Sequence, residues 1–364
     1  AHLVSPLPTA IPVMSWGRGV FAAIRTLFGS TIAPRSRGAV LVKVGLAMYD
    51  FYGRRDRQMP RHRMVSRKKA LAGLPAITPG IVALGTYYDA VISAPERLVL
   101  ELIQDGVRDS SRSEALNGCA VIGQVGKCLT LSLPDGSQRK VQGRVVVNAA
   151  GPWIDGVNDQ LGINGQLIGG TKGSHILLRH PALLEQLKGR MLYFEADDGR
   201  ILLVFPFQGV ALVGSTDIPS DKPDALHCTE QEIDYFMKSL KTLLPGLSFD
   251  RDQIVYSYAG IRPLPNSVGV EPGLISRDHS APLEPPTDER PFPVISLVGG
   301  KWTTYRAFSA DVTDTVLGIL DVRRSCSTAD LPMGGARDMP RTSEQQAQWV
   351  SRVSAASGAP AHRV

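Results

Sequence analysis

This 364-residue chain lacks paired cysteines, long apolar runs and any leader pattern. No uninterrupted apolar stretch reaches the roughly 20 residues that a membrane-spanning helix needs. The pattern of a secretory signal peptide is absent. Cys119, Cys128, Cys228 and Cys326 are scattered without C-x-x-C spacing. That argues against zinc and against a disulfide framework, and fits a reducing, cytoplasmic location. His175 and His180 lie five apart, which matches no common metal-ligand spacing, so no metal is expected. The G-x-S-x-G elbow of serine hydrolases is missing. Lys172-Gly173-Ser174 lacks the preceding glycine spacing of a phosphate-binding P-loop. Aromatic residues make up 6% of the chain and do not interleave with its basic run, so single-stranded nucleic acid is not an expected partner.

What remains is the composition of a soluble globular protein, 43% hydrophobic and 20% charged, long enough for more than one domain. The net charge of +6 is unevenly placed. Arg54, Arg55, Arg57, Arg61, Arg63, Arg67, Lys68 and Lys69 share one short span, with Asp50 and Asp56 the main acids nearby. Such a span suits acidic lipid headgroups, nucleic acid or an anionic substrate, or is simply a solvated loop. Just before it, Leu41 to Tyr52 reads as an apolar helix. With Trp16–Phe28 it would form an amphipathic surface, lying over a core or against a membrane interface.

Residues 1–80 otherwise read as irregular segments around short helices, rich in proline and arginine. Gly17-Arg18-Gly19-Val20-Phe21-Ala22 matches the dinucleotide fingerprint G-x-G-x-x-A. It follows a proline-rich segment and lacks a downstream acid, so it is rejected as a cofactor loop. A helix is predicted over Pro95–Val107. A hairpin is predicted around Pro134-Asp135-Gly136-Ser137. A strand over Gly143–Asn148 runs into Ala149-Ala150-Gly151-Pro152-Trp153, and a helix begins at Ile154. Antiparallel strands are expected over residues 165–218, turning near Gln208-Gly209. Thr229 caps a helix to Leu244, with Glu232 at the capping-box position. Ile254–Ile261 and Leu274–His279 are further strand candidates.

The stretch Val294–Leu320 combines a buried strand (Val294–Val298), Gly299-Gly300, Lys301, and a helix that Thr303 or Thr304 can cap. A strand ending in glycines at a helix N-terminus points N–H groups at an electron-rich partner. Alone, the stretch reads equally well as a cofactor or anion turn and as an ordinary tight connection. The whole pattern is mixed α/β, with a cofactor half and a substrate half. Four polar groups stand near its glycines and prolines: His175, Arg262, Arg277 and Lys301. Singly, each has a structural reading, as a buried histidine or a surface ion pair. Together they suit a substrate carrying both a phosphate and an alcohol, through arginine forks, a lysine point charge and a proton acceptor.

The blocks VVVNAAGPWID, TKGSHILL, DDGRILLVFPFQGVALVGSTD, YSYAGIRPL, ISRDH and SLVGGKWTTYR occur together, in this order. In this the chain resembles the FAD-dependent glycerol-3-phosphate dehydrogenases, flavoproteins of the D-amino-acid-oxidase-like group, from His2 to about Gly335. The resemblance implies an incomplete FAD-binding Rossmann-like half and a substrate domain with a large antiparallel sheet. On that plan residues 1–80 form a basic segment of the substrate or cap region. Residues 81–155 and 286–322 belong to the FAD-binding domain, residues 156–285 to the substrate domain, and residues 323–364 begin a C-terminal domain.

The implied reaction is oxidation of sn-glycerol 3-phosphate to dihydroxyacetone phosphate, with FAD as cofactor and electrons passed to the quinone pool. It implies His175, Arg262 and Lys301 as catalytic residues, with Arg277 beside them in holding the substrate. Ala149, Ala150, Gly151, Trp153, Gly299, Gly300, Lys301, Thr303 and Thr304 would contact the FAD. Residues 54–69 would give peripheral contact with the inner face of the cytoplasmic membrane. The family's N-terminal fingerprint is missing, and the first residue is not Met, so an N-terminus further upstream and a longer C-terminal domain are expected. Trp302 replaces a smaller apolar residue. The competing expectations are an oxidase using O₂, an amine-oxidising relative, and a non-catalytic fragment or anion- or membrane-binding module.

Overall fold

The computed structural model describes residues 3–17, 19, 37–54, 59–220, 223–224, 226–266, 278–337, 339–340 and 342–361. Its first elements are β1 (Val4–Val13), α1 (Ala39–Tyr52), β2 (Arg63–Ser66), α2 (Arg67–Gly73), β3 (Ala83–Ile92) and α3 (Pro95–Asp109). Then come β4 (Ala120–Val125), β5 (Cys128–Ser132), β6 (Gln138–Gln142), β7 (Val146–Asn148), α4 (Ile154–Gln160), β8 (Thr171–Leu178) and α5 (Pro181–Leu187). The next are β9 (Met191–Glu195), β10 (Ile201–Phe207), β11 (Val210–Gly214), β12 (Ile218–Pro219), α6 (Glu230–Leu243) and β13 (Ile254–Arg262). The last are β14 (Leu283–Glu284), β15 (Val294–Ser296), α7 (Tyr305–Ile319) and α8 (Ser343–Ser357). The chain divides into two units, one of Ala1–Ser5, Val91–Asn117 and Ser325–Val364, the other of Pro6–Ala90 and Gly118–Arg324.

The larger unit is built on a nine-stranded sheet in the order β12-β8-β11-β10-β9-β1-β3-β2, with β13 pairing β8 as well. Period-two alternation explains its centre. On β8, Ile176 and Leu178 are fully buried and belong to a core cluster with Ile233, Phe236, Met237, Leu240 and Leu243 of α6. Those helical positions recur at three- and four-residue spacing and form one apolar stripe. Thr229 caps α6, and the capping box with Glu232 is complete. The odd-numbered residues of β8, Gly173, His175 and Leu177, therefore take the other face of the sheet.

The predicted turn at Gln208-Gly209 joins β10 to β11, both residues having positive φ, 47° and 83°. That matches the right-handed twist of a two-residue hairpin. The Asp135-Gly136 turn joins β5 to β6 in a separate three-stranded meander.

β1 departs from expectation. Residues 4–13 carry three prolines and were expected to be irregular, yet they form a ten-residue strand inside the large sheet. Pro6, Pro8 and Pro12 are all even-numbered, so the missing N–H groups lie along one edge. The other edge keeps its donors, and Thr9 and Ala10 are fully buried.

A second, small sheet places β15 between β14 and β7. β15 and β7 are parallel, with Val294 opposite Val146 and Ser296 opposite Asn148. β7 is shorter than the predicted 143–148 strand, and β15 is shorter than 294–298. Buried Asn148 ties β7 to α4 by donating to Ile154 O and Asn158 Oδ1, both at 2.9 Å. The predicted strand 274–279 falls mostly outside the described residues, as do most of Trp16–Phe28 and four positions of the rejected fingerprint.

In the smaller unit, α3 covers its polar face. Buried Glu101 and Asp105 accept the N–H groups of Gly335 and Gly334 at 3.0 and 2.7 Å. Val99, Leu100, Ile103 and Val107 are exposed apolar positions. Arg97 pairs with Glu101, and Arg108 and Arg337 with Asp105, so both buried carboxylates are satisfied by backbone donors and by arginines.

The fold turns on the α6 stripe. Phe236→Ala should lower unfolding free energy by about 3–5 kcal/mol, since it deletes a fully buried ring and leaves a cavity. Urea denaturation monitored by circular dichroism measures this.

Candidate functional site

The register of β8 with β13 brings two candidate residues together. Tyr258 lies opposite His175, Gly260 opposite Gly173, and Arg262 opposite Thr171. These positions alternate, so Tyr258, Gly260 and Arg262 share the face of Gly173 and His175. Two glycines clear that face. A Cβ on Gly173 would meet Arg262 Nη2 at 2.5 Å, and one on Gly214 would meet His175 Cδ2 at 2.2 Å. Gly214 is directly opposite His175 on β11. The guanidinium thus lies against the backbone of β8, and the imidazole against that of β11.

Arg262 is held by the segment after β11. Its Nη1 donates to Asp217 Oδ1 at 2.9 Å and to Thr216 O at 3.1 Å, and its Nη2 donates to Ser215 Oγ. Asp217 completes an ion pair with it. The expected substrate arginine therefore already has a carboxylate partner.

His175 is stacked on Tyr258, with ring centroids 4.9 Å apart. Its Nδ1 is buried and has no hydrogen-bond partner among the described residues. Burial, and after it the neighbouring charge of Arg262, lowers its pKa to about 4. Both causes disfavour imidazolium, so the ring is neutral near pH 7.

The glycine turn after β15 is tied to the same strand end. Gly299 N donates to Pro263 O at 3.2 Å, one residue beyond Arg262. Gly299 and Gly300 have φ of +75° and +94°. At Gly299 a Cβ would meet Asp278 O at 2.6 Å, so only glycine fits there. At Gly300 the nearest atom is 3.7 Å away, on Phe308. His279 packs on Phe308 with centroids 4.3 Å apart, a contact with no signal in the sequence.

Several expected donors are already engaged. Gly299 N–H serves Pro263, Lys301 N–H donates to Thr304 Oγ1 at 3.2 Å, and Thr304 N–H donates to Lys301 O at 3.0 Å. Thr304 stands at the N-cap of α7, but its side chain makes no cap bond, turning back to Lys301 instead. Thr303 makes none either. Among the described residues, no partner is recorded for the N–H groups of Gly300, Trp302 and Thr303. The Lys301 side chain is exposed and has no ion pair to a described residue.

The turn after β7 is open. Gly151 has φ +58°, and a Cβ there would meet nothing within 4 Å. Ala150 N donates to Asn148 Oδ1 at 3.2 Å, and Ala149 precedes it. Trp153 is half exposed and donates from Nε1 to Asp224 Oδ1 at 3.1 Å. Leu297 N donates to Asn148 O at 2.9 Å, which joins this turn to the approach to Gly299. Arg277 lies outside the described residues.

Tyr258, Ser215, Thr216 and Asp217 were missed as site residues. Tyr258 could have been found from strand parity, four residues before Arg262 on the same face. The 215–217 segment carries no comparable sequence signal.

The depressed pKa of His175 has a consequence for stability. The unfolded chain takes up this proton near the ordinary value of 6.5, whereas the folded chain takes it up only near 4. The stability contribution is full above the first value and is lost as pH falls through that window. Thermal midpoints should fall from neutral pH toward pH 4 in the parent. They should fall less steeply in His175→Asn, which carries no titratable ring.

Comparison with known proteins gives one family. A model described as FAD dependent oxidoreductase matches residues 7–279. Glycerol-3-phosphate dehydrogenase of Synechocystis sp. is 30% identical over 366 residues, covering 94% of this chain and 61% of that protein. The aerobic glycerol-3-phosphate dehydrogenase of Bacillus subtilis is 28% identical over 311 residues, covering 82% of this chain and 54% of that protein. The chain thus spans a little over half the length of these relatives. Among solved structures, glycerol-3-phosphate dehydrogenase from Bacillus halodurans complexed with FAD superimposes with a TM-score of 0.70 at 20% identity. That match covers 100% of this chain and 61% of the other. Glycine oxidase from Geobacillus kaustophilus gives 0.52 at 14% identity, covering 90% of this chain and 74% of the other. At these identities the structural likeness speaks for the fold alone.

Proposed function

The chain belongs to the FAD dependent oxidoreductase family, and from that premise we propose that it serves an enzyme oxidising sn-glycerol 3-phosphate to dihydroxyacetone phosphate. The observation that carries this reading is the placement of Arg262 beside a neutral His175 on a sheet face cleared by Gly173 and Gly214. An arginine fork suits phosphate oxygens, and a neutral imidazole suits an alcohol proton. The names of the curated relatives agree with this substrate.

The residues present fit part of an FAD site. At Gly151 the backbone faces open space, at Gly300 it packs near Phe308 and His279, and both lie just beyond the ends of parallel strands. Ala149, Ala150, Gly151 and Trp153 would hold one side of the cofactor. Gly299, Gly300, Lys301, Thr303 and Thr304 would hold the other, with the N–H groups of Gly300, Trp302 and Thr303 as donors. When bound, FAD supplies the two-electron acceptor that the alcohol oxidation requires.

The remaining work falls to the protein's own residues. Arg262 orients the phosphate through its fork, with Arg277 as a second cation. Lys301 adds a point charge where substrate and cofactor meet. His175 takes the hydroxyl proton at an imidazole nitrogen as the carbinol carbon is oxidised. The stack on Tyr258 fixes the plane of that ring.

The onward acceptor in this reading is the quinone pool, reached from the inner face of the cytoplasmic membrane. No helix among the described residues is long and apolar enough to cross a membrane. The contact would instead be peripheral. α1 exposes Val40, Val44, Met48, Phe51 and Tyr52, and Arg54 lies 4.2 Å from the Phe51 ring centroid. The basic run 54–69 that follows in the sequence suits anionic lipid as well.

Three measurements test the proposal. The full-length protein should be yellow and bleach with glycerol 3-phosphate. Arg262→Ala should raise KM at least about a hundredfold, the loss expected for a charge-assisted fork. A colourless full-length protein, or one bleached only by an amino acid, overturns the substrate assignment. For the membrane contact, the protein should sediment with phosphatidylglycerol vesicles at low salt and be released at high salt. Its remaining in the supernatant at low salt removes that part of the proposal.

A further inference from the structure

Behind the sheet, opposite His175 and Arg262, lies a buried carboxylate that the proposed chemistry does not touch. Glu232 of α6 is 3% exposed. Its Oε2 accepts from Lys172 Nζ at 2.7 Å and from Thr229 N at 2.9 Å. Its Oε1 accepts the hydroxyls of Thr216 at 2.7 Å and Ser174 at 2.8 Å. A capping box needs only the bond to the Thr229 N–H. The other three reach into β8 and the segment after β11. Burial pushes the Glu232 pKa up, but hydrogen bonds from Lys172, Thr229, Thr216 and Ser174 outweigh it and bring the value down to about 2.

Three of these bonds, those from Lys172, Ser174 and Thr216, end beside a site residue. Lys172 and Ser174 flank Gly173, and Ser174 precedes His175. Thr216 stands between Ser215 and Asp217, both partners of Arg262. Thr216 itself links the two faces. Its hydroxyl donates to Glu232 and accepts from Ser174 N at 2.9 Å, while its carbonyl accepts from Arg262 Nη1 at 3.1 Å. One residue thus separates the buried carboxylate from the guanidinium.

We infer that Glu232, acting through Thr216, is a positioning residue that sets the place of Arg262 and hence the affinity for a phosphorylated substrate. The inference rests on Arg262 being the substrate's anchor. Glu232 does not contact the site face; it fixes the acceptors that hold the arginine. Its effect therefore belongs in binding more than in turnover.

Substitutions can separate these roles. Thr216→Val keeps the shape and the carbonyl but removes the hydroxyl, and Thr216→Ser restores it. Glu232→Gln keeps a capping-box residue but removes the charge. The full-length, FAD-loaded variants are compared by KM and kcat for glycerol 3-phosphate, by calorimetric Kd for dihydroxyacetone phosphate, and by thermal midpoint. Thr216→Val and Glu232→Gln should raise KM and Kd about tenfold with kcat changed less than about threefold, and Thr216→Ser should return toward parent values. A folded Thr216→Val protein with parental KM and Kd, whatever its thermal midpoint, overturns the inference. Arg262→Ala serves as the reference. If it too keeps the parental Kd, the substrate reading has failed. If it alone loses binding, only the positioning role of Glu232 has failed.

Discussion

The site depends on one contact, the guanidinium of Arg262 laid against the backbone of β8 where Gly173 has no side chain. A charged fork on a sheet face needs both room and acceptors. Gly173 gives the room, and Ser215, Thr216 and Asp217 give the acceptors. The contact also fixes the register. Shifting β13 by one residue would turn Arg262 and Tyr258 to the face that α6 covers, away from Gly173 and the 215–217 acceptors. The pairing of Gly260 with Gly173 and of Tyr258 with His175 is thus constrained twice, by the core on one face and by the charge on the other.

The two faces of β8 divide the labour. On the α6 side the apolar end, Ile176 and Leu178, contributes to the main core. At the other end Lys172 and Ser174 meet Glu232 instead of hydrocarbon. A buried ion pair of this kind adds little net stability compared with well-packed apolar residues. Its value is in specificity of position. It lies where the strand must be held relative to the 215–217 segment. On the open face, burial and the Arg262 charge keep His175 neutral.

Much of this was legible in the chain, because local rules and packing agree along its central half. The capping box at Thr229, the Gln208-Gly209 turn and the β8 and β13 strands all derive from spacing and turn chemistry. His175 and Arg262 stood out as polar residues beside glycine or proline, and the structure places them side by side. β1 was not legible. Its prolines argue against a strand, and only their common parity, together with partners distant in sequence, reverses that. The donors of the Lys301 turn were over-counted for a similar reason. The glycines correctly marked a close backbone approach, but which N–H groups remained open depended on Pro263 and Thr304 accepting or donating locally. The 215–217 segment was invisible because its role comes from a hydrogen-bond network, which leaves no periodic trace.

On the proposed reading the two described cations have different tasks. Arg262 is paired with Asp217, so together they contribute little net charge to an incoming anion. What Arg262 offers is direction, a planar fork held in place by several acceptors. The exposed Lys301 has no ion pair to a described residue, and its flexible stem gives little orientation. An anion bound between them would take its angle from the arginine and much of its Coulomb attraction from the lysine. A bulky anion with several equivalent oxygens, such as phosphate, can satisfy both at once by sharing its oxygens with the fork and the ammonium. A planar carboxylate has only two oxygens and must divide them, or leave one cation unmatched. The tie between Gly299 and Pro263 strengthens this distinction, because it anchors the lysine-bearing turn to the arginine-bearing strand.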